Sequence, residues 1–268
     1  MPAFQAEPGM PYWIDLASSD LRKSSHFYAQ VLGWDIEEVE GGYRIARLQG
    51  LPVAGFVQRP EDDNQPDTWI TYFQSAAIAD DCARAVELGG RVLVEPTSVY
   101  LGQLAVLVDT AGGMFGLIQP AGEDSFIAAG EPGTPVWHEF TATVGYDEAV
   151  SFYEQMFDWV TATTDAQDYT TALVDGAAFA GIFNATGKFP LHVPSFWQSF
   201  LGVLDVADAV YKTRELGGDV IREPFDSGFG KMAIIADSTG ATVTLCEVLP
   251  PVEEGRESDP LEGFDLPL

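Results

Sequence analysis

Two acidic residues stand at matching places in this sequence, each in a short apolar stretch with a tryptophan two positions before it. Asp15 follows Trp13 in Pro-Tyr-Trp-Ile-Asp-Leu, and Glu139 follows Trp137 in Pro-Val-Trp-His-Glu-Phe. Side chains two residues apart on a β-strand share a face, so each acid is expected beside its tryptophan. A carboxylate in such a place has a raised pKa and suits a general base or a hydrogen-bond acceptor for a ligand. Asp15 and Glu139 are therefore the candidate catalytic residues.

The same acids also have a structural interpretation. A buried carboxylate costs several kcal/mol unless it is paired or hydrogen-bonded. Backbone donors, or an arginine such as Arg44 or Arg47, could hold it without any catalytic role. Further polar groups could donate to the acids or to a ligand: Tyr12, Tyr43, Tyr72 and Tyr100 in the first copy, and Tyr169 and Gln198 in the second.

The histidines and cysteines form no recognisable catalytic or metal-binding motif. His26 is expected at the solvent edge of a helix, and His192 in an exposed connector. His138 alternates with the tryptophan and acid of its strand, which predicts the opposite face and an interior or interface histidine. Cys82 and Cys246 are too few for a disulfide framework, and we expect each to be a small buried apolar residue.

The sequence is an internal duplication. All six tryptophans fall into three matched pairs: 13/137, 34/159 and 69/197. Other matched segments are Phe27-Tyr28 with Phe152-Tyr153, Leu88-Gly89-Gly90 with Leu216-Gly217-Gly218, and Asp109-Thr110-Ala111-Gly112 with Asp237-Ser238-Thr239-Gly240. Self-similarity of this kind is the signature of a repeat architecture.

Each copy contains two units of the pattern β-α-β-β-β. In the first unit Ser18-Ser19-Asp20 predicts a helix N-terminus and Gly33 its end, because short oxygen side chains cap the first turn and glycine tolerates the left-handed conformation. Glu95-Pro96 and Glu223-Pro224 predict turns between strands, and Asp109 begins a hairpin turn. The predicted divisions are a lead-in (1–9), domain 1 (10–122), a linker (123–133), domain 2 (134–250) and an acidic tail (251–268).

Four such units, paired two by two, resemble the vicinal oxygen chelate superfamily of glyoxalases, bleomycin-resistance proteins and dioxygenases. The matched motifs are most similar to the tandem two-domain glyoxalase-like proteins of actinobacteria. The resemblance implies an α+β fold of two domains, each with two βαβββ units whose strands form a cup-shaped sheet. Four side chains reach into each cup, and in many members histidine, glutamine or glutamate there hold a divalent metal.

This sequence departs from the metal-binding pattern at the implied ligand positions. The first strands place tryptophan there, and the last strands of the second units place Gly116 and Thr244. A shift of two residues would bring Asp15 or Glu139 into the cups, but one carboxylate does not hold a divalent ion. We expect metal-free cups without a cofactor, and a ligand pocket lined by Trp13, Trp69, Trp137, Trp197 and Thr244.

Composition restricts the partners. The 268 residues include 13 basic and 41 acidic residues, for a net charge of −28. Such a chain repels nucleic acid and anionic membranes, which need a basic surface. The N-terminus has no signal-peptide pattern, and no apolar run reaches the ~18 residues that cross a bilayer. We expect a cytoplasmic monomer or homodimer whose partner is a small molecule.

Three functions remain open from the sequence. The first is a metal-independent protein that binds or sequesters a small apolar or aromatic molecule in a tryptophan-lined cup. The alternative is a lyase or dioxygenase that acts on an α-dicarbonyl or aromatic substrate, with Asp15 or Glu139 as the base. The third is a structural protein whose cups are filled by the tryptophans.

Overall fold

The computed structural model describes residues 3–60, 65–121, 126–166, 168–228 and 230–249. A short strand β1 (Ala3–Gln5) precedes the first repeat, which forms one sheet of eight strands. Its elements are β2 (Pro11–Ser18), α1 (Leu21–Leu32), β3 (Asp35–Glu38), β4 (Arg44–Leu48), β5 (Leu51–Gln58), β6 (Thr68–Gln74), α2 (Ile78–Glu87), β7 (Arg91–Val99), β8 (Gly102–Val108) and β9 (Met114–Pro120).

The second repeat forms a second sheet of eight strands. It follows a short strand β10 (Phe126–Ala128), which pairs with β1 and joins the segments expected as lead-in and linker. Its elements are β11 (Pro135–Ala142), α3 (Tyr146–Phe157), β12 (Val160–Thr163), β13 (Tyr169–Val174), β14 (Ala177–Asn184), β15 (Phe196–Val203), α4 (Val206–Glu215), β16 (Asp219–Ser227), β17 (Gly230–Ala236) and β18 (Thr242–Glu247). The acidic tail proposed for 251–268 lies outside the described residues.

Each sheet is built within one repeat. The strand orders are β3-β4-β5-β2-β6-β9-β8-β7 and β12-β13-β14-β11-β15-β18-β17-β16. The two βαβββ units of a sheet meet where their first strands pair antiparallel, β2 with β6 and β11 with β15. The last strand of each unit runs parallel to its first strand, as β5 does to β2. These two sheets and their helices confirm the predicted α+β fold.

Helix α1 begins and ends where the sequence predicts. The Asp20 carboxylate accepts the backbone N–H groups of Arg22 and Lys23 at 3.2 and 3.1 Å. Gly33 follows the helix with φ of 74°, a left-handed conformation that glycine adopts without a steric cost. No helix in the described part of the chain is long and apolar enough to cross a membrane.

The helix-bearing faces of the two sheets meet and share two hydrophobic cores. One core combines α1 with α4 and includes Phe27 and Val210, and the other combines α2 with α3 and includes Cys82 and Phe152. Burying one large apolar side chain contributes about 1.5–3 kcal/mol. Because each core contains side chains from both repeats, a repeat on its own would expose its part of both cores to solvent.

Hydrogen bonds of tryptophan and tyrosine side chains cross these cores. Trp197 Nε1 donates to Tyr153 Oη at 2.7 Å, and Tyr153 Oη donates to Asp109 Oδ2 of the first repeat, also at 2.7 Å. In the other core Trp69 Nε1 donates to Tyr28 Oη at 3.0 Å. Asp109 also accepts backbone N–H groups of its own turn, which confirms the predicted hairpin turn.

The tryptophan pair Trp34 and Trp159 connects the two repeats. Each indole bonds to the segment that precedes the first long strand of the other repeat. Trp34 Nε1 donates to the carbonyl oxygen of Gly133 at 2.6 Å. Trp159 Nε1 donates to the carbonyl oxygen of Gly9 at 2.9 Å. Each of these matched tryptophans therefore bonds across from one repeat to the other.

The turns predicted at the Glu-Pro pairs are wrong. β7 continues through Glu95-Pro96 to Val99, and β16 continues through Glu223-Pro224 to Ser227. The pairing register shifts at both places, between Val94 and Thr97 and between Arg222 and Phe225. Proline cannot donate to a sheet ladder, but an irregular edge strand accommodates it.

Candidate functional site

The face of each sheet that turns away from the helices is called here the cup face. Asp15 lies on the cup face of β2 with 2% of its surface exposed. Trp13 Nε1 donates to Asp15 Oδ1 at 2.8 Å, and Tyr43 Oη donates to the same oxygen at 2.5 Å. One carboxylate oxygen is therefore held by two neutral aromatic donors, one from its own strand and one from the chain just before β4.

The arginine partners considered for this acid are wrong. Arg44 forms an ion pair with Glu38 at 3.2 Å, and Arg47 forms one with Glu37 at 2.9 Å. Both pairs join β3 to β4 and hold the edge of the sheet. Asp15 is fixed by tryptophan and tyrosine side chains, so its negative charge is not neutralised by either arginine.

A glycine on the neighbouring strand makes room for the Tyr43 hydroxyl. Gly55 lies opposite Asp15 where β5 pairs with β2. A Cβ atom at position 55 would lie 1.8 Å from Tyr43 Oη and 2.1 Å from Asp15 Oδ1. Any other side chain would displace the hydrogen bond, so the Asp15–Tyr43 contact depends on Gly55.

Tyr72 approaches the same acid from β6. It is 3% exposed and its hydroxyl hydrogen-bonds with the Asp15 carboxyl. Burial raises the pKa of Asp15 to about 6, and the hydrogen bonds from Tyr43, Trp13 and Tyr72 oppose this shift without cancelling it. Burial, and next the Asp15 charge, raise the pKa values of Tyr43 and Tyr72 well above normal, so both hydroxyls keep their protons at neutral pH.

A cavity of about 400 Å³ lies against this acid in the first cup. The volume is within the range of ligand pockets, roughly 300–1,000 Å³. Its lining carries one carboxylate, three tyrosines and Trp13, and is otherwise aliphatic, with Ile70, Leu104, Val106 and Ile118 among the wall residues. Tyr100 lies at the rim with 57% of its surface exposed. The cavity is thus apolar and aromatic, with one buried polar end.

The second cup contains a matched set. Trp137 Nε1 donates to Tyr169 Oη at 3.0 Å, and Tyr169 Oη donates to Glu139 Oε2 at 2.9 Å. Gly181 is the counterpart of Gly55, because a Cβ atom at position 181 would lie 2.1 Å from Tyr169 Oη. The duplication therefore extends to an acid, a tryptophan, a tyrosine and a glycine on each cup face.

The two cups differ in what surrounds the acid. In the second cup Gln198 Nε2 lies 3.3 Å from both Glu139 Oε1 and Thr141 Oγ1, and Thr244 Oγ1 donates to Gln198 Oε1 at 3.1 Å. Burial raises the pKa of Glu139 as well. Thr244 therefore lies on the cup face, in a hydrogen-bond chain that ends on Glu139.

The placement of Trp69 and Trp197 in the cups is wrong. Trp69 lies opposite Leu16 in the β2–β6 pair, whereas Trp13 lies opposite Tyr72. Directly opposed residues share a face, so Trp69 points to the helices while Ile70 and Tyr72 face the cup. Trp197 is in the same position in the second sheet, opposite Phe140. Both indoles belong to the cores between the repeats.

A smaller cavity of about 240 Å³ lies between the repeats, with Trp13, Trp137 and His138 in its lining. His138 Nδ1 lies 2.9 Å from Ser199 Oγ, which lies 3.1 Å from Thr71 Oγ1 of the first repeat. Burial lowers the pKa of His138 to about 4. This confirms an interface histidine, whereas Tyr12 lines this cleft and not the first cup.

The donor sets of the cups do not fit a divalent metal. No group of three or more histidine, cysteine, aspartate and glutamate side chains converges among the described residues. Asp15 supplies one carboxylate among aliphatic and phenolic groups, and Glu139 has beside it an amide that already bonds to it. Divalent ions in proteins take several oxygen or nitrogen ligands, which neither arrangement provides.

Two tandem sheets, each made of two βαβββ units around a cup face, define the architecture of the glyoxalase-like class. Residues 12–116 match the family model of the Glyoxalase/Bleomycin resistance protein/Dioxygenase superfamily. The chain belongs to this superfamily.

Two relatives align over most of their length. The chain is 30% identical over 264 residues to the anthracycline biosynthesis protein DnrV of Streptomyces peucetius, covering 90% of this chain and 94% of DnrV. It is 27% identical over 255 residues to "Putative glyoxylase CFP32" of Mycobacterium tuberculosis, covering 90% of this chain and 96% of that protein. The Mn(II)-bound glyoxalase of Novosphingobium aromaticivorans shares the fold, with a TM-score of 0.60, 16% identity and coverage of 91% and 84%.

Sequence reasoning named the acids and the tyrosines but missed Gly55 and Gly181, and it named Gly116 without the role of making room for a tyrosine. Gly55 and Gly181 each follow an alanine within a strand, and Gly116 lies where a Cβ atom would be 2.0 Å from the Tyr72 ring. An isolated glycine inside a strand indicates a close approach of another group. That signal, present in both copies, could have located the sites.

Proposed function

We propose that this protein is a metal-independent member of its superfamily that binds a small apolar or aromatic molecule in the first cup. The observation that carries the proposal is the cavity of about 400 Å³, apolar and aromatic, with Asp15 at its polar end. Binding pockets are typically apolar with a few placed polar groups that set orientation. Asp15, Tyr43 and Tyr72 are those groups.

The volume of the cavity and its aromatic walls suit a ligand of two or three rings. Trp13, Tyr72 and Tyr100 supply aromatic surface, which packs favourably against other rings. The name of DnrV associates that relative with anthracycline biosynthesis, and anthracyclines are multi-ring aromatic molecules. A ligand of related shape is consistent with this cavity.

Calorimetric titration with 1-naphthalenemethanol and 1-naphthylmethylamine tests the proposal. At least one probe should bind to wild type. Leu104→Trp fills the cavity from a partly exposed wall position and should weaken binding of that probe by about tenfold or more, equivalent to ~1.4 kcal/mol. Met232 is the matching position in the second sheet, since Leu104 pairs with Ile118 as Met232 pairs with Cys246. Met232→Trp is therefore the matched control and should leave binding unchanged.

Failure of both probes to bind, or equal binding by wild type and Leu104→Trp, would overturn the proposal. The metal-independent part has its own test. The protein is dialysed against Mn(II), Ni(II) and Zn(II) and its metal content is measured. A stoichiometric ion that disappears in Asp15→Asn would show that the cup holds a metal after all.

One observation favours an enzymatic alternative. A carboxyl group whose pKa is raised to about 6 is well placed for proton transfer near neutral pH. The activity would be proton abstraction by Asp15 from an α-dicarbonyl adduct or an aromatic substrate, as in a lyase. Turnover of a hemithioacetal that is lost in Asp15→Asn and retained in Glu139→Gln would support it, and no turnover by wild type leaves the binding function alone.

A further inference from the structure

Asp15 is a buried carboxylate that lacks a cationic partner in the described structure. None of the ion pairs formed by the described residues includes it. Buried charges in proteins are usually paired, because taking a charge out of water is costly. The hydrogen bonds from Trp13, Tyr43 and Tyr72 stabilise the carboxylate, but all three donors are neutral.

The side chains next to this acid provide a second feature that attracts cations. Trp13, Tyr43, Tyr72 and Tyr100 all line the same cavity. The faces of aromatic rings carry negative potential, and rings grouped around a pocket bind ammonium groups through cation–π contacts. Among the described residues that line the cavity none is basic, so no positive charge there attracts an anion.

The whole chain adds a long-range effect in the same direction. With 41 acidic and 13 basic residues, its net charge is −28. A strongly negative protein raises the local concentration of cations and repels anions, and salt weakens both effects. An anionic ligand would therefore meet repulsion at a distance and again at Asp15.

We infer that the first cup selects a lipophilic organic cation, an aromatic or apolar body with an ammonium group that pairs with Asp15. The inference rests on the proposed binding function and names the ligand class. The apolar body fills the cavity, while the ammonium group supplies the positive charge that the carboxylate lacks. A neutral ligand of the same shape would fill the cavity equally well but leave the Asp15 charge unpaired.

In the second cup, the matched acid Glu139 has an amide hydrogen-bond partner within the protein. Gln198 Nε2 lies 3.3 Å from Glu139 Oε1, at the position where the first cup has the aliphatic Ile70. The second acid thus has an amide partner on the neighbouring strand, where the first acid has an aliphatic neighbour that offers no hydrogen bond. Glu139→Gln is therefore a matched control for Asp15→Asn.

The experiment compares 1-naphthylmethylamine, protonated at neutral pH, with the neutral 1-naphthalenemethanol by calorimetry. The amine should bind wild type at least about tenfold tighter, equivalent to ~1.4 kcal/mol. Asp15→Asn should remove this preference, and Glu139→Gln should keep it. A second variant, Tyr100→Leu, changes a rim residue with 57% of its surface exposed, and should weaken binding of the amine more than binding of the alcohol.

The outcomes separate the inference from the proposed function. Equal binding of both probes, abolished by Leu104→Trp, would overturn the selection of cations while leaving a ligand-binding cup. A preference for the amine that survives in both Asp15→Asn and Tyr100→Leu would also overturn it, because the cation would then be held elsewhere on the acidic surface. Binding of neither probe would refute both.

Discussion

Replacing Asp15 with asparagine should change how the stability of this protein depends on pH. The side chains are nearly the same size, and asparagine keeps an oxygen that can accept from Trp13 Nε1 and Tyr43 Oη, which lie 2.8 and 2.5 Å from Asp15 Oδ1. The substitution removes one titrating group from a site that is 2% exposed. It therefore isolates the contribution of that group to the free energy of unfolding.

The sign follows from proton binding in the two states. The pKa of Asp15 is about 6 in the folded protein, against 3.8 for an unperturbed aspartate. Between these values the folded state holds a proton that the unfolded state has lost, so the free energy of unfolding falls as pH rises. At about 1.36 kcal/mol per unit, the wild type loses about 3 kcal/mol across this window. Asp15→Asn has no such loss.

Urea unfolding followed by tryptophan fluorescence measures this effect at a series of pH values. The free energy of unfolding of the variant minus that of wild type should increase by about 3 kcal/mol between pH 3.8 and pH 6, and the difference should stay constant above pH 6. The buried acids Asp109 and Glu139 also have raised pKa values, but they are common to both proteins and cancel in the difference. Asp219→Asn, at an exposed position, controls for the loss of one negative charge.

Parallel stability curves for wild type and Asp15→Asn over the whole range would refute the reasoning. Such a result would mean that the carboxylate is solvated or paired in the folded state. A difference of opposite slope, with the variant losing stability as pH rises, would mean that the hydrogen bonds from Tyr43 and Tyr72 outweigh burial. The first outcome would also remove the unpaired charge on which the selection of an organic cation depends.

Three further substitutions test the surrounding structure by urea unfolding. Gly55→Ala should cost about 1–3 kcal/mol from overpacking, since its Cβ would lie 1.8 Å from Tyr43 Oη, and it should abolish probe binding; full stability and full binding would contradict the close packing. Tyr153→Phe should cost about 1.5–3 kcal/mol, because it removes the 2.7 Å hydrogen bond to Asp109; no loss would show that this bond does not hold the repeats together. Arg84→Ala should cost less than about 1 kcal/mol, because its ion pair is exposed; a larger loss would give that pair an unexpected role.

The sequence predicted the duplication, the four βαβββ units and the inward direction of Asp15, but not the direction of Trp69. The strand β6 reads Thr-Trp-Ile-Thr-Tyr-Phe-Gln and has buried residues at five consecutive positions, from Trp69 to Phe73. A strand covered on both faces shows no alternation of apolar and polar residues, so its pattern does not say which set faces the cup. The pairing register decides this, and a shift of one residue exchanges the faces.

The contact between α1 and α4 had no signal in the sequence either. Both helices show the apolar stripe expected of a helix that packs on a sheet, and Val31 and Val210 would look the same if each packed on its own sheet alone. Helix periodicity reports that a face is buried but not which element covers it. In the structure the repeats are joined closely, because the indoles of the matched Trp34 and Trp159 bond to Gly133 and Gly9.

The differences between the cups point to a division of roles after duplication. Both copies retain the tryptophan, the acid, the tyrosine and the glycine, so the polar end is common to both. Where the second cup has Gln198 and Thr244, the first has Ile70 and Gly116, which offer the acid no hydrogen bond and leave room for Tyr72. The second acid is thereby satisfied within the protein, whereas the first faces an apolar cavity with its charge unpaired. If ligand binding is the function, this difference assigns it to the first cup.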